Sequence, residues 1–417
     1  MRRAAAVLAA VLASATGCGR APDAATVVRF WAMGREGEVA AALMPEFERR
    51  HPGVRVRVQQ VPWSAAHEKL LTAYVGGAMP DVFQAGNTWL PELVALGALE
   101  PLDARIDASS AVPRGDYFPG ILDTNVIDGT TWGVPWYVDT RVLFYRTDVV
   151  GAAGPPRTWG AWVDAMERIA SPPDRYAILL PLREWQVPVV LAFQRGANLL
   201  RDGDRRGDFR GAAFRAAFAF YVDLFHRRLA PAGGDSALSN VYDDFARGWF
   251  SFYVTGPWNL NAFAERLPAS LAGDWDTAPL PAPAEDAPGV SLAGGASLAI
   301  ARGSARRDVA WQLVEYLSEP ARQVELYRSS GDLPARRTAW LAEGLPGRRH
   351  AHAFWEQLQH VRSTPKIPEW ERIANTVAEY AEAAVRGSLT ADEALTALDR
   401  DVDGLLEKRR WLLGGRE

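Results

Sequence analysis

At 417 residues, 48% hydrophobic and 23% charged, the chain is globular but too long for one ordinary core, so two lobes of up to about 200 residues each are expected. A formal charge of -4, from 46 basic and 50 acidic residues, is not the strongly basic balance that points to nucleic acid or an anionic membrane surface. A single cysteine, Cys18, excludes an internal disulfide framework and a cysteine metal cluster.

Arg2 and Arg3 lead an apolar run from Ala4 to Ala13, followed by the small residues Ser14, Ala15, Thr16 and Gly17. This reads as a secretory leader, and the run is too short to cross a bilayer. Val27 to Met33 is the first expected strand, and the stretch after it forms an amphipathic helix on Val39, Leu43 and Phe47, with Pro45 as a candidate kink. Glu36 and Glu38 suit the first turn of that helix by the sign of its dipole. Val54 to Val61 alternates with period two and is a strand, and Trp63 to Val75 is helical. Gly76 and Gly77 close that helix and Pro80 forbids its continuation. Asp81 to Ala85 is a buried strand, and Asn87 or Thr88 is placed to cap a helix carrying Trp89 and Leu90. Strand and helix alternating through the first hundred residues imply a parallel sheet with helices on both faces, an α/β fold. In such sheets, small polar ligands bind where strand C-termini meet helix N-termini.

Asp128 and Gly129 mark a hairpin turn, Trp132 to Pro135 returns as a strand, and Val142 to Tyr145 follows as another. Thr158 caps a helix, and Tyr176 to Leu182 is a buried strand whose exit carries Arg183, Glu184, Trp185 and Gln186. The stretch 233–240, GGDSALSN, reads as a loop. Asp243 and Asp244 are adjacent and diverge by about 100° on a helix, so they do not form a paired acid site. Phe250 to Val254 is a strand, Thr255 and Gly256 turn, and Pro257 opens a helix whose first turn displays Trp258 and Asn259. Gly294 and Gly295 interrupt a strand, a sign that something approaches the backbone closely, here a ligand. Trp311 to Leu317 is helical up to Pro320, Gly331 is a candidate hinge, and Arg336 is a candidate cleft residue or half of a surface ion pair. His350 and His352 lack a third ligand by spacing and are read as surface histidines.

The PDV strand with its polar corner and GALEPLD, the GVPWYVDTR segment, GPWNL and the PEW helix resemble, in order and over nearly the whole chain, the carbohydrate-binding group of extracellular solute-binding proteins of bacterial ABC importers, which includes maltose-binding protein. The resemblance implies a two-lobe Venus-flytrap fold, with lobes of discontinuous segments: a leader over 1–18, one lobe of 22–136 and 277–330, and a second of 137–276 and 331–417. It implies a sugar held between the lobes, closure by hinge motion, and delivery to a membrane permease. It places Arg35 and Glu36 at a corner used for sugar hydroxyls, beside Asn87, Thr88 and Trp89. Trp136 and Tyr137 line the cleft and Asp139 is an acidic contact, although a structural pair between Asp139 and Arg141 accounts for that carboxylate equally well. Glu184 and Trp185 form a cleft edge, Trp258 stacks on a pyranose face with Asn259 beside it, Gly294 and Gly295 approach the ligand, and Arg336 and Trp370 reach the cleft.

The ATGC string resembles a bacterial lipobox, with Ala15 where the pattern prefers leucine, so Cys18 is the expected lipid anchor; ordinary leader cleavage is the alternative. No cofactor is expected, and the protein is expected to be exported and monomeric. Rival readings are a secreted glycoside hydrolase, which requires two opposed carboxylates, and a sensory or adhesive surface lipoprotein without transport. A cationic polyamine would demand several cleft carboxylates, and a sugar phosphate would demand clustered arginines.

Overall fold

The computed structural model describes residues 25–232, 240–287 and 289–414, so the leader, Cys18 and nearly all of the 233–240 loop lie outside the described residues. Two sheets organise the chain. In the first, the strands run in the order Leu333–Pro334, Val134–Asp139, Gly294–Ile300, Val82–Gly86, Thr26–Met33 and Val54–Val61. Thr26–Met33 pairs in parallel with both of its neighbours, as the early strand–helix alternation predicts. Gly294–Ile300 is antiparallel to Val82–Gly86 and to Val134–Asp139. The second sheet runs Trp275–Ala278, Val142–Arg146, Phe252–Thr255 and Ile178–Leu179.

The chain passes from one sheet to the other between Asp139 and Val142, and returns through Ser291–Leu292, which pairs in parallel with Val361–Arg362. These passages sit slightly off the expected divisions. Val134–Asp139 and Leu333–Pro334 belong whole to the first sheet and Trp275–Ala278 to the second, because each completes a hydrogen-bonded ladder there. Ser291 staples the two passages together: its hydroxyl accepts from the Arg141 N–H at 3.1 Å and donates to the Arg141 carbonyl at 2.8 Å.

Local signals were met in several places. Asp128 and Gly129 both have positive φ between Val126–Ile127 and Thr130–Thr131, the geometry of a two-residue hairpin turn. Thr158 caps Trp159–Ile169, and Thr390 with Glu393 forms a capping box on Ala391–Leu405. Pro45 leaves Gly34–Arg50 one continuous helix, and Pro320 opens a further helix, Pro320–Ser330, as a first-turn proline can. The expected strand over 176–182 shrinks to Ile178–Leu179. Helices Trp370–Val385 and Ala391–Leu405, from the end of the chain, bury Ile373, Val377, Leu395 and Leu398 in one core with Phe214 and Phe218 of the second lobe.

Candidate functional site

Strand direction gathers the site. The parallel strands of the first sheet deliver their C-terminal corners to one edge: Gly34, Arg35 and Glu36 after the first, Trp63 after the second, and Asn87, Thr88 and Trp89 after the third. Val134–Asp139 runs the same way and ends there with Tyr137 and Asp139, while Gly294 begins its strand and Asp332 precedes its own at that same edge. From the second lobe, Trp185 and Gln186 follow the Ile178–Leu179 strand and Pro257 and Trp258 follow Phe252–Thr255. Glu371 comes from helix Trp370–Val385. Together they enclose a cleft of about 570 Å³, within the size range of small-molecule sites.

Aromatic rings furnish its apolar surface. Trp258 is 42% exposed and Trp63 38%, unusual for indoles in a folded interior, so their faces are available to a ligand. Trp63 meets Trp89 edge-on at 5.5 Å, and Trp89 is in turn stacked on His67 at 5.1 Å. Gly256 is required where it stands, since a Cβ there would overlap the Trp258 ring.

The polar groups form two networks. Gln84 Oε1 accepts from the Met33 N–H at 2.7 Å, Gln84 Nε2 donates to the Tyr137 hydroxyl at 3.0 Å, and Tyr137 donates to Glu36 Oε1 at 2.8 Å. Burial, then the adjacent Glu36 charge, hold the Tyr137 phenol well above its usual pKa, so it stays a donor. In the second network Arg141, with its side chain 6% exposed, bonds Asp139 at 2.7 Å, lies 3.7 Å from Glu184 and sits over the Trp258 ring at 4.6 Å. Burial opposes its charge, but Asp139 and Glu184 raise its pKa on balance. The ion pair that competed with ligand contact as an account of Asp139 is therefore present, and Asp139 also lines the cleft. Burial, then the Glu36 charge, push the Asp332 carboxyl up to about 7; Ser330 opposes the rise, Asp139 adds a smaller push and Arg35 a smaller opposition. Burial also raises the Glu371 carboxyl, with Thr88 opposing the shift.

Several residues expected at the cleft lie elsewhere. Trp136 alternates with Tyr137 along its strand and so faces the opposite side, fully buried against Phe30. Trp370 is fully buried behind Trp185, edge-on at 5.3 Å, and its helical neighbour Glu371 takes the cleft position. Asn259 is buried, donating to Thr255 Oγ1 at 2.8 Å and accepting from Tyr242 at 3.0 Å. Glu184 faces Arg141 rather than the cleft lining. Asn87 lines the cleft but caps no helix; its amide donates to the Ala293 carbonyl at 2.8 Å. Gly294 and Gly295 do border the cleft, and the close backbone approach they permit is to Asp139 and Tyr137 of the neighbouring strand. Trp63, Asp332 and Glu371 are cleft residues that the sequence reading missed. Trp63 was legible, because it opens a helix after a parallel strand just as Arg35 and Asn87 do.

Arg336 is 6% exposed and holds Asp116 at 2.6 Å and the carbonyls of Ala111 and Ser318, which makes it a structural clamp. Arg336→Met should lower stability by about 3 kcal/mol, the scale for breaking a buried pair, while leaving ligand affinity unchanged. Parallel denaturation and titration check this, and a selective loss of affinity would return Arg336 to the site.

Two larger hollows, of about 780 and 670 Å³, share Pro155, Pro156 and Arg157, but neither is lined by a tryptophan or tyrosine. Among the described residues no group of three or more His, Cys, Asp or Glu is arranged to hold a metal ion, and no helix is long and apolar enough to cross a membrane.

A cleft walled by tryptophans and carboxylates between two α/β lobes joined by paired passages defines a ligand-capture protein of the two-lobe binding class. Residues 33–324 match the family described as bacterial extracellular solute-binding protein, and the chain belongs to it. Among solved structures, the sugar-binding protein MalE of Xanthomonas citri is 47% identical, with a TM-score of 0.89 over 93% of this chain and 99% of that one. The diacetylchitobiose binding protein DasA of Streptomyces coelicolor is 27% identical over 377 residues, 88% of this chain and 86% of its own. The galactooligosaccharide-binding protein of Bacillus subtilis is 24% identical over 377 residues, 87% of this chain and 85% of its own.

Proposed function

We propose that this protein captures a sugar between its lobes and delivers it to an ABC permease. The observation that carries the reading is the pairing of exposed Trp258 and Trp63 with the carboxylates of Glu36, Asp139 and Asp332 around one cleft. A pyranose has C–H groups on a flat face and hydroxyls at its rim, so an indole suits the first and a carboxylate accepts from the second. The relatives described as sugar-binding support the same ligand class. Closure follows because a sugar touching both walls binds the closed arrangement better. The ligand set proposed is Arg35, Glu36, Thr88, Trp89, Tyr137, Asp139, Trp185 and Trp258, extended by Trp63, Asp332 and Glu371. Lipid attachment at Cys18, export to the outer face of the membrane and a monomeric state belong to the same proposal.

The cleft carboxylates also answer the condition set for a cationic ligand, which makes a polyamine the second reading. A hydrolase would have to set Glu371 of the second lobe against Glu36, Asp139 or Asp332 of the first, and product formation on incubation separates that reading from capture. A thermal-shift screen of residues 19–417 against mono-, di- and oligosaccharides, with polyamines and sugar phosphates alongside, tests these readings together. We expect a rise in melting temperature with a neutral sugar and no products on incubation. A shift confined to polyamines, or one accompanied by hydrolysis, would overturn the reading.

A further inference from the structure

Helix Trp159–Ile169 and the segments flanking it bring three arginines to one hollow on the second lobe, the one of about 670 Å³, which shares no lining residue with the cleft. Each stands on fixed backbone. The Arg157 carbonyl accepts from the Ala282 N–H at 2.9 Å, Arg168 lies in the last turn of the helix, and Arg175 exchanges two backbone hydrogen bonds with Ser171, at 2.9 and 3.1 Å. All three are exposed, and among the described residues none reaches ion-pair distance of a carboxylate. Two neighbouring acids are engaged elsewhere, since Asp148 holds Arg146 at 2.6 Å and Glu167 pairs with Arg227. Asp164 and Asp174 do not line the hollow, and Glu285 is the one carboxylate that does. The helix dipole favours a cation at Arg168, but it gives no account of Arg157 or Arg175. Three guanidiniums around one hollow repel one another until an anion joins them.

We propose that this hollow is a second binding site, for a phosphate ester, whose phosphate oxygens the three guanidiniums hold and whose carbon body rests on Val149, Val150 and Ile169. The N–H forks of arginine match the oxygen geometry of a phosphate, which has acceptors enough for three of them, whereas a carboxylate has two oxygens. Exposure keeps the cost of desolvating the cations small, so binding should weaken as salt is added. The headgroup of a glycerophospholipid and a soluble ester present the same chemistry. The proposal stands apart from sugar capture, because the hollow and the cleft have no residue in common.

The test compares the chain carrying Cys18→Ser, in which no acyl anchor can contribute, with the same chain carrying Arg168→Gln and Arg175→Gln as well. Calorimetric titration at low salt and about pH 7.5, where a phosphate monoester carries close to two charges, uses butyl phosphate, butanol and inorganic phosphate. Sedimentation uses vesicles of phosphatidylcholine alone and of phosphatidylcholine mixed equally with phosphatidylglycerol. We expect butyl phosphate or the phosphatidylglycerol vesicles to be bound, butanol and the phosphatidylcholine vesicles not to be, and the arginine variant to bind the successful probe at least about tenfold more weakly. The replaced side chains are exposed and unpaired, so that variant should melt at the parent temperature and keep the parent affinity for a cleft sugar. Binding of the phosphatidylglycerol vesicles alone identifies a lipid headgroup, and binding of butyl phosphate identifies a soluble ester. Failure of both probes would overturn the proposal, as would equal binding by the arginine variant. Inorganic phosphate bound as tightly as butyl phosphate would also overturn it, as the mark of an adventitious ion only.

Discussion

Trp258→Ala should weaken sugar binding by at least tenfold, about 1.4 kcal/mol, and leave the fold intact. The ring is 42% exposed, so its removal opens no sealed cavity and the stability cost should be small. Its position is prepared by two neighbours: Gly256, whose missing Cβ makes room for the ring, and the Arg141 guanidinium, which lies over it. Truncation therefore removes a prepared stacking surface without disturbing its supports. Calorimetric titration with the sugar identified by the screen reads the effect, and unchanged affinity would take Trp258 out of the site.

Arg141→Met is expected to reach further, costing about 3 kcal/mol of stability and about tenfold in affinity. The guanidinium is buried and neutralises Asp139, whose side chain is 27% exposed; Glu184, at 44%, is better hydrated and should matter less. Without the cation, Asp139 is left partly buried and unpaired at the passage between the sheets, and Trp258 loses the group that covers one face. A double replacement, Asp139→Asn with Arg141→Met, should recover much of the stability and little of the affinity. Denaturant titration of the single and double variants checks this, and a single variant as stable as the parent would refute it.

Much of the fold was legible because its signals are local. Alternation over Val54–Val61, the Asp128–Gly129 turn and the Thr158 cap each depend on neighbours in the chain. Likewise, three strand-to-helix corners can be read one at a time and placed at one sheet edge by a general rule. What the sequence concealed was orientation. Trp136 and Tyr137 are adjacent, and only the strand's register decides which faces the cleft; the same is true of Trp370 and Glu371 on their helix. Arg336 could not be separated from a cleft cation because its partner, Asp116, lies 220 residues away. Asp332 carried no motif, and its role arises only where the chain brings Glu36 and Asp139 beside it.

The interleaving of the two sheets also bears on how the protein is made. The first sheet begins at Thr26 but lacks its central strand until Ile300 and its edge until Pro334. The second closes its ladder at Ala278, yet its apolar face waits for helices that end at Val385 and Leu405. Neither half can be completed while the C-terminal quarter is missing, so synthesis gives no early stopping point and contacts between distant segments should make folding slow. A chain cut short before Pro334 would complete neither lobe, leaving an exposed core for quality-control proteases in place of one working half.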